Sequence, residues 1–160
     1  LVFLRPAAGN RNRSRAAMTP DPRIVRFIRR HHVLVLATAA QGVPYCADLF
    51  YTYDQERNEL VFTSDDTTRH GREMILEPVV AGSVVLETRV VGRVQGLQLC
   101  GRVERADDRA RTLYLRRFPY AALTTLTLWR LRPTFLKYTD NTLGFGTKLI
   151  WNQESEASSS

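Results

Sequence analysis

The apolar residues of the chain follow two spacings, and the switches between them mark out its elements. In TPDPRIVRFIRRHH, Ile24, Phe27 and Ile28 share one helical face. Asp21 is placed to cap that helix and Pro22 to fill its first position. Arg29, Arg30, His31 and His32 stand at its C-terminal end, where the helix dipole favours positive charge. The two histidines are therefore expected to be capping or surface groups rather than metal ligands. VLVLATAA then reads as a buried strand ending at the turn AQGVP, and YCADLFYTYD as a second strand rich in aromatic and β-branched residues. ELVFTS follows as a third strand at hairpin spacing.

TRHGREMILE predicts a short helix that stops before Pro78, and VVAGSVVLET and VQGLQLCGRVERA read as two more strands. DDRARTLYLRRF predicts a helix capped by Asp107, with Ala110, Leu113 and Tyr114 in an apolar stripe and Pro119 interrupting it. LWRLRPTFLKYTD and GTKLIW complete the strands. Such a string predicts a mainly β fold, a six- to seven-stranded antiparallel barrel, closed or split, with peripheral helices. A barrel of this size is not expected to bury Phe50, Tyr51, Tyr53 and Phe62 alone, so a second copy of the chain is expected to cover some of them.

Composition narrows the picture. The 160 residues are 44% hydrophobic, which suits one domain with a real core. The longest apolar run, VLVLATAA, is too short to span a bilayer, and no secretory h-region stands out. A cytoplasmic protein without membrane association is expected. The net charge is +7, but Arg5, Arg11, Arg13 and Arg15 carry four of those charges, leaving +3 from Met18 onward. Residues 1–17 are expected to be a basic disordered tail or start-site extension, 18–151 the barrel domain, and 152–160 a disordered polar tail. Cys46 and Cys100 with three histidines do not make a metal site, and both thiols are expected to be reduced.

Few stretches carry chemistry. GFGTK lacks the strand–loop–helix spacing of a Walker element, and there is no serine elbow or helically paired carboxylate set. Any difficult chemistry would therefore fall to a cofactor. FTSDDTTRHGREM is the exception. Thr63 and Ser64 end a strand, and Thr67 and Thr68 precede Arg69 at a helix start, where free amides favour an anion. An arginine fork and threonine hydroxyls could hold a phosphate there, but Asp65 and Asp66 would repel one if they faced it. Spacing alone leaves a capped polar turn and a phosphate cradle equally open.

PYCADLFYTYDQERNELVFTSDDTTRH, with EPVVAGSV after it, resembles the first half of the pyridoxamine-phosphate-oxidase-like flavin-binding split barrels. The closing YTDNTLGFGTKLIW and RRFPYA resemble more narrowly the YhbP family, an uncharacterised branch of that group. The resemblance implies a homodimer that binds FMN in a cleft between subunits, with a small-molecule substrate. It implies that the strand Cys46, Ala47, Asp48, Leu49 through Tyr51 lies along the flavin. Phe62, Thr63, Thr67, Thr68 and Arg69 would hold the ribityl chain and phosphate, with Gln98 toward the isoalloxazine ring. Thr68 stands where the oxidases have an arginine, and TDNTLGFGTKLIW lacks their substrate-binding arginines. Pyridoxine-phosphate oxidation is therefore not implied, and a flavin-dependent oxidoreductase of another substrate is. The competing expectation is a non-catalytic barrel for another small ligand or for nucleic acid, with Tyr51, Tyr53 and Trp129 as stacking platforms.

Overall fold

The computed structural model describes residues 19–153; the tail expected at 1–17, and residues 154–160 of the tail expected at 152–160, lie outside them. The described residues form helix α1 (Pro22–Arg30), strands β1 (Val33–Ala40), β2 (Val43–Asp54) and β3 (Glu59–Thr63), and helix α2 (Arg69–Leu76). Strands β4 (Val79–Val85) and β5 (Gln95–Arg105), helix α3 (Asp108–Arg117), and strands β6 (Leu128–Asp140) and β7 (Thr147–Asn152) follow. The expected helices and strands are all present, and β7 runs one residue past the expected domain end at 151.

The strands pair in the order β3-β2-β1-β4-β5-β6-β7, and a further β3–β6 pairing closes six of them into an antiparallel barrel. Strand β6 serves two neighbours on one edge. Leu128–Leu131 pairs with β3, and Phe135–Asp140 pairs with β7. Pro133 stands between the two stretches, where the edge changes partner and a missing N–H does least harm. The β5–β6 register shifts between Cys100 and Gly101, beside that proline. A Cβ on Gly101 would lie 2.5 Å from the Arg132 carbonyl oxygen, so only glycine lets the two backbones approach there.

Local chemistry sets the ends of the elements. The Asp21 carboxylate accepts the Arg23 amide at 2.8 Å and caps α1, with Pro22 in its first turn. His31 closes α1 through its own amide to the Phe27 carbonyl. Gln41 and Gly42, at φ 52° and 78°, form the two-residue turn that joins β1 to β2 with the twist a hairpin needs.

Inside the barrel, Leu34, Leu36, Leu60, Leu131 and Leu136 are fully buried, with α1 sealing one end through Ile24, Phe27 and Ile28. The barrel also buries Tyr51, Tyr53 and Phe62 without help from a second chain, and the Tyr51 hydroxyl donates to the Ile28 carbonyl at 2.7 Å. This corrects the expectation that several of these aromatics need an interface. Only Phe50 among them is left exposed. A smaller cluster of Val61, Ala110, Tyr114 and Phe118 packs α3 outside β3.

Candidate functional site

The segment between β3 and α2 is a tightly bonded turn, and its hydroxyls are already engaged. Thr68 is the N-cap of α2: its Oγ1 accepts the Gly71 amide at 3.0 Å and donates to the Asp65 carbonyl at 2.7 Å. Thr67 donates through both its amide and its hydroxyl to the Asp65 carboxylate, at 2.7 and 2.6 Å. Thr63 donates to the Thr127 carbonyl. Phe62 is wholly buried in the core, with its backbone paired to Tyr51 and Trp129.

The two aspartates part company. Asp66 forms a two-pronged ion pair with Arg105, at 2.8 and 2.7 Å, and the Arg105 guanidinium lies 4.0 Å from the Trp129 ring centroid. Asp65 has no cationic partner among the described residues, and the Thr67 bonds hold its carboxyl below the usual range. It remains the one charge in the turn that opposes an anion.

Arg69 is placed differently from the threonines. Its Nε donates to Glu73 Oε1 at 2.9 Å, one helical turn on, and its guanidinium carbon lies 4.4 Å from the Tyr45 ring centroid. Glu73 is itself fixed by the Thr38 hydroxyl at 2.5 Å. Hydrogen bonds from Arg69, then Thr38, hold the Glu73 carboxyl below its ordinary value despite burial. Both Arg69 Nη groups remain without a protein partner among the described residues, as do the Arg69 and His70 amides at the start of α2. His70 stacks on Tyr45 at 6.4 Å, and burial pushes its imidazole below the ordinary histidine value, so it is neutral at pH 7.

Thr38, Tyr45 and Glu73 were not among the sequence candidates, although signals for them exist. Glu73 stands four residues after Arg69, the spacing of a helical ion pair. Tyr45 faces Thr38 across the two-residue turn, as counting back from Gln41–Gly42 requires.

The remaining candidates spread over the outside of the sheet. Cys46, Ala37, Ala81, Cys100 and Phe135 are successive partners across five strands, and Asp48, Val35, Ser83, Gln98 and Lys137 form the next such row. Cys46, Asp48, Gln98 and Cys100 are exposed on this face, whereas Ala47 and Leu49 are half-buried. Both cysteines are free thiols. The two rows carry one carboxylate, Asp48, and one amine, Lys137. Two cavities lie around α1. No described helix is long and apolar enough to cross a membrane.

No protein-family model matches the chain. A UPF0306 protein of Yersinia pestis bv. Antiqua is 37% identical over 134 residues, covering 81% of this chain and 91% of the relative. The UPF0306 protein YhbP of Salmonella paratyphi B is 38% identical over 138 residues, covering 84% and 94%. Solved structures with the same fold include an FAD-binding protein from Mesorhizobium loti, at TM-score 0.62 and 18% identity over 71% of this chain and 87% of that one. A heme-binding protein from Mycobacterium smegmatis superposes at TM-score 0.62 and 22% identity, covering 94% of this chain and 60% of that one. A pyridoxamine 5'-phosphate oxidase-like protein from Listeria innocua does so at TM-score 0.59 and 14% identity, covering 72% and 94%. The chain belongs to the UPF0306 family, of which YhbP is a member, and it folds as a pyridoxamine-phosphate-oxidase-like split barrel.

Proposed function

We propose that the protein is a flavin-binding split barrel that takes FMN, with Arg69 as the phosphate anchor and a second copy of the chain completing the cleft. The observation that carries this reading is Arg69 itself. Glu73 and Tyr45 hold its guanidinium in place while both Nη groups, and two amides at the helix start beside them, have no partner among the described residues. The cradle is leaner than a ring of threonines, because Thr63, Thr67 and Thr68 already donate to protein oxygens. Cys46, Asp48 and Gln98 lie on the open outer face, where a second copy would enclose an isoalloxazine ring. The flavin would supply the redox chemistry, and the protein would bind and orient it. A substrate and an electron donor would have to reach the same cleft.

A second reading rests on His70. Its imidazole is neutral, half-buried and stacked on Tyr45, which is the form that ligates heme iron. One titration series separates the two. FMN should bind the full chain with quenched fluorescence, and Arg69→Ala should weaken it about ten-fold while leaving riboflavin unchanged. Hemin should give no sharpened Soret band that His70→Ala removes. If hemin gives that band and neither flavin binds, the flavin reading fails and the heme reading replaces it.

A further inference from the structure

Tyr138, Asp140 and Leu143 of the YTDNTLGFG segment also line a cavity at the far end of β1 from the Arg69 site. Strand β1 separates α1 from Thr38 by roughly 15–20 Å. The cavity, about 310 Å³, lies between α1 and the end of the barrel where β5 begins and β6 ends. Three arginines line it from α1, namely Arg23, Arg26 and Arg30, at positions i, i+3 and i+7 of one helical face.

These arginines are not equivalent. Arg23 is engaged by Asp21, with Nε and Nη2 on the two carboxylate oxygens at 3.0 and 2.9 Å. The Arg26 and Arg30 side chains make no ion pair or hydrogen bond among the described residues, although Arg26 is close enough to Asp21 to help hold that carboxyl low. Asp140, the one carboxylate among the described residues that line the cavity, makes no ion pair with either. Asp140 is buried, and its oxygens accept the Tyr138 hydroxyl at 3.0 Å, Gln95 Nε2 at 3.2 Å, and the Thr142 amide and hydroxyl at 2.9 and 2.6 Å. Four protein donors satisfy Asp140 without a guanidinium. Phe27, its ring 5.0 Å from that of Tyr138, and half-exposed Leu143 give the cavity an apolar side.

We propose that this cavity binds a small organic anion, with a phosphate or carboxylate head held by Arg26 and Arg30 and an apolar body against Phe27 and Leu143. A guanidinium fork matches either head group in two-pronged geometry. A volume near the lower bound of small-molecule sites fits a single-ring ligand and excludes a dinucleotide. The site is separate from the proposed flavin site and does not depend on it.

Calorimetric titration of the full chain with phenyl phosphate tests the proposal, with phenol and inorganic phosphate as the two halves of the probe. Saturable binding of phenyl phosphate is expected, one per chain in an Arg69→Ala background that removes the phosphate anchor proposed above, with each half weaker by about ten-fold or more. The Arg26→Gln/Arg30→Gln pair should weaken phenyl phosphate by at least about ten-fold, and so should Leu143→Glu, which brings a negative charge to the opposite wall. All three positions are exposed, so the variants should melt as the parent does. The binding that depends on the α1 pair should persist in Arg69→Ala. Absence of saturation, phenol or inorganic phosphate binding as well as phenyl phosphate, or loss of binding through Arg69→Ala in place of the α1 pair would each overturn the site.

Discussion

The guanidinium of Arg69 sits 4.4 Å from the centroid of the Tyr45 ring, bridging from the start of α2 to the β1–β2 hairpin. Glu73 fixes the same guanidinium from within the helix, and Thr38, the strand partner of Tyr45, fixes Glu73. Two elements remote from each other in sequence thus hold one cation in a single pose, which is the preorganisation a phosphate anchor needs.

Tyr45→Ala should therefore weaken FMN without touching a phosphate contact directly. A half-exposed cation–π contact is worth about 0.5–1 kcal/mol, or roughly a two- to five-fold change in affinity. Tyr45→Phe keeps the ring and should restore the parent value. Fluorescence titration with FMN reads both, and equal losses for Ala and Phe would show that the hydroxyl, not the ring, matters.

Gly71 is fixed by the cap beside Arg69. A Cβ there would fall 2.1 Å from the Asp65 carbonyl oxygen and 2.9 Å from Thr68 Oγ1, so Gly71→Ala must push the turn away from the helix. Overpacking of that kind costs about 1–3 kcal/mol, and the Thr68 cap is disturbed with it. Gly96→Ala, whose Cβ would approach only the Val84 carbonyl oxygen at 3.9 Å, should leave the urea midpoint nearly unchanged. Comparable midpoints for the two variants would mean that the turn yields freely.

Most of the fold is legible in the sequence because its punctuation is local. Asp21, Pro22, Asp107 and Pro119 each bound a helix through their own side chains, and the Gln41–Gly42 turn sets the first hairpin. Closure of the barrel is not local. The β3–β6 pairing joins Phe62 to Trp129, and no short-range spacing announces it. The candidate site divides in the same way. Arg69 stands out by its place in the sequence, but whether a threonine hydroxyl is free depends on where its nearest carbonyl or carboxylate lies. Thr67 and Thr68 both find theirs in Asp65. The cavity beneath α1 was invisible for a related reason: it needs residues about a hundred positions apart, Arg30 and Asp140 among them.

Acid should loosen the contact between α3 and the β2–β3 turn. Burial pushes the Asp54 carboxyl up, but the Arg109 fork at 2.8 and 3.1 Å and the amides of Arg57 and Glu56 outweigh it and leave the group below its usual range. A carboxyl whose folded value is depressed stabilises the fold above its unfolded value, near pH 4. That stabilisation is lost as pH falls through the folded value. The urea midpoint should hold from pH 7 to about 5 and then decline. Asp54→Asn should lower the midpoint at pH 7 and make that decline shallower. Parallel pH profiles for the two proteins would remove Asp54 from the account.

The open face of the sheet is where a second chain should dock. Ala37 and Ala81 lie at its centre between Cys46 and Cys100, with Val35 and Ser83 in the next row, and five strands span roughly 19 Å. Small side chains let two sheets approach closely, and a two-fold axis through the face would present each row to itself. Light scattering of the parent at micromolar concentration should give twice the chain mass. Ala81 is exposed, so Ala81→Arg should fold and melt like a soluble monomer while placing two arginines against each other across the axis. The variant should then run at the mass of one chain and lose FMN, because the cleft between copies would be gone. A monomeric variant that still binds FMN would put the flavin within one chain, and a variant that stays dimeric would move the interface to another face.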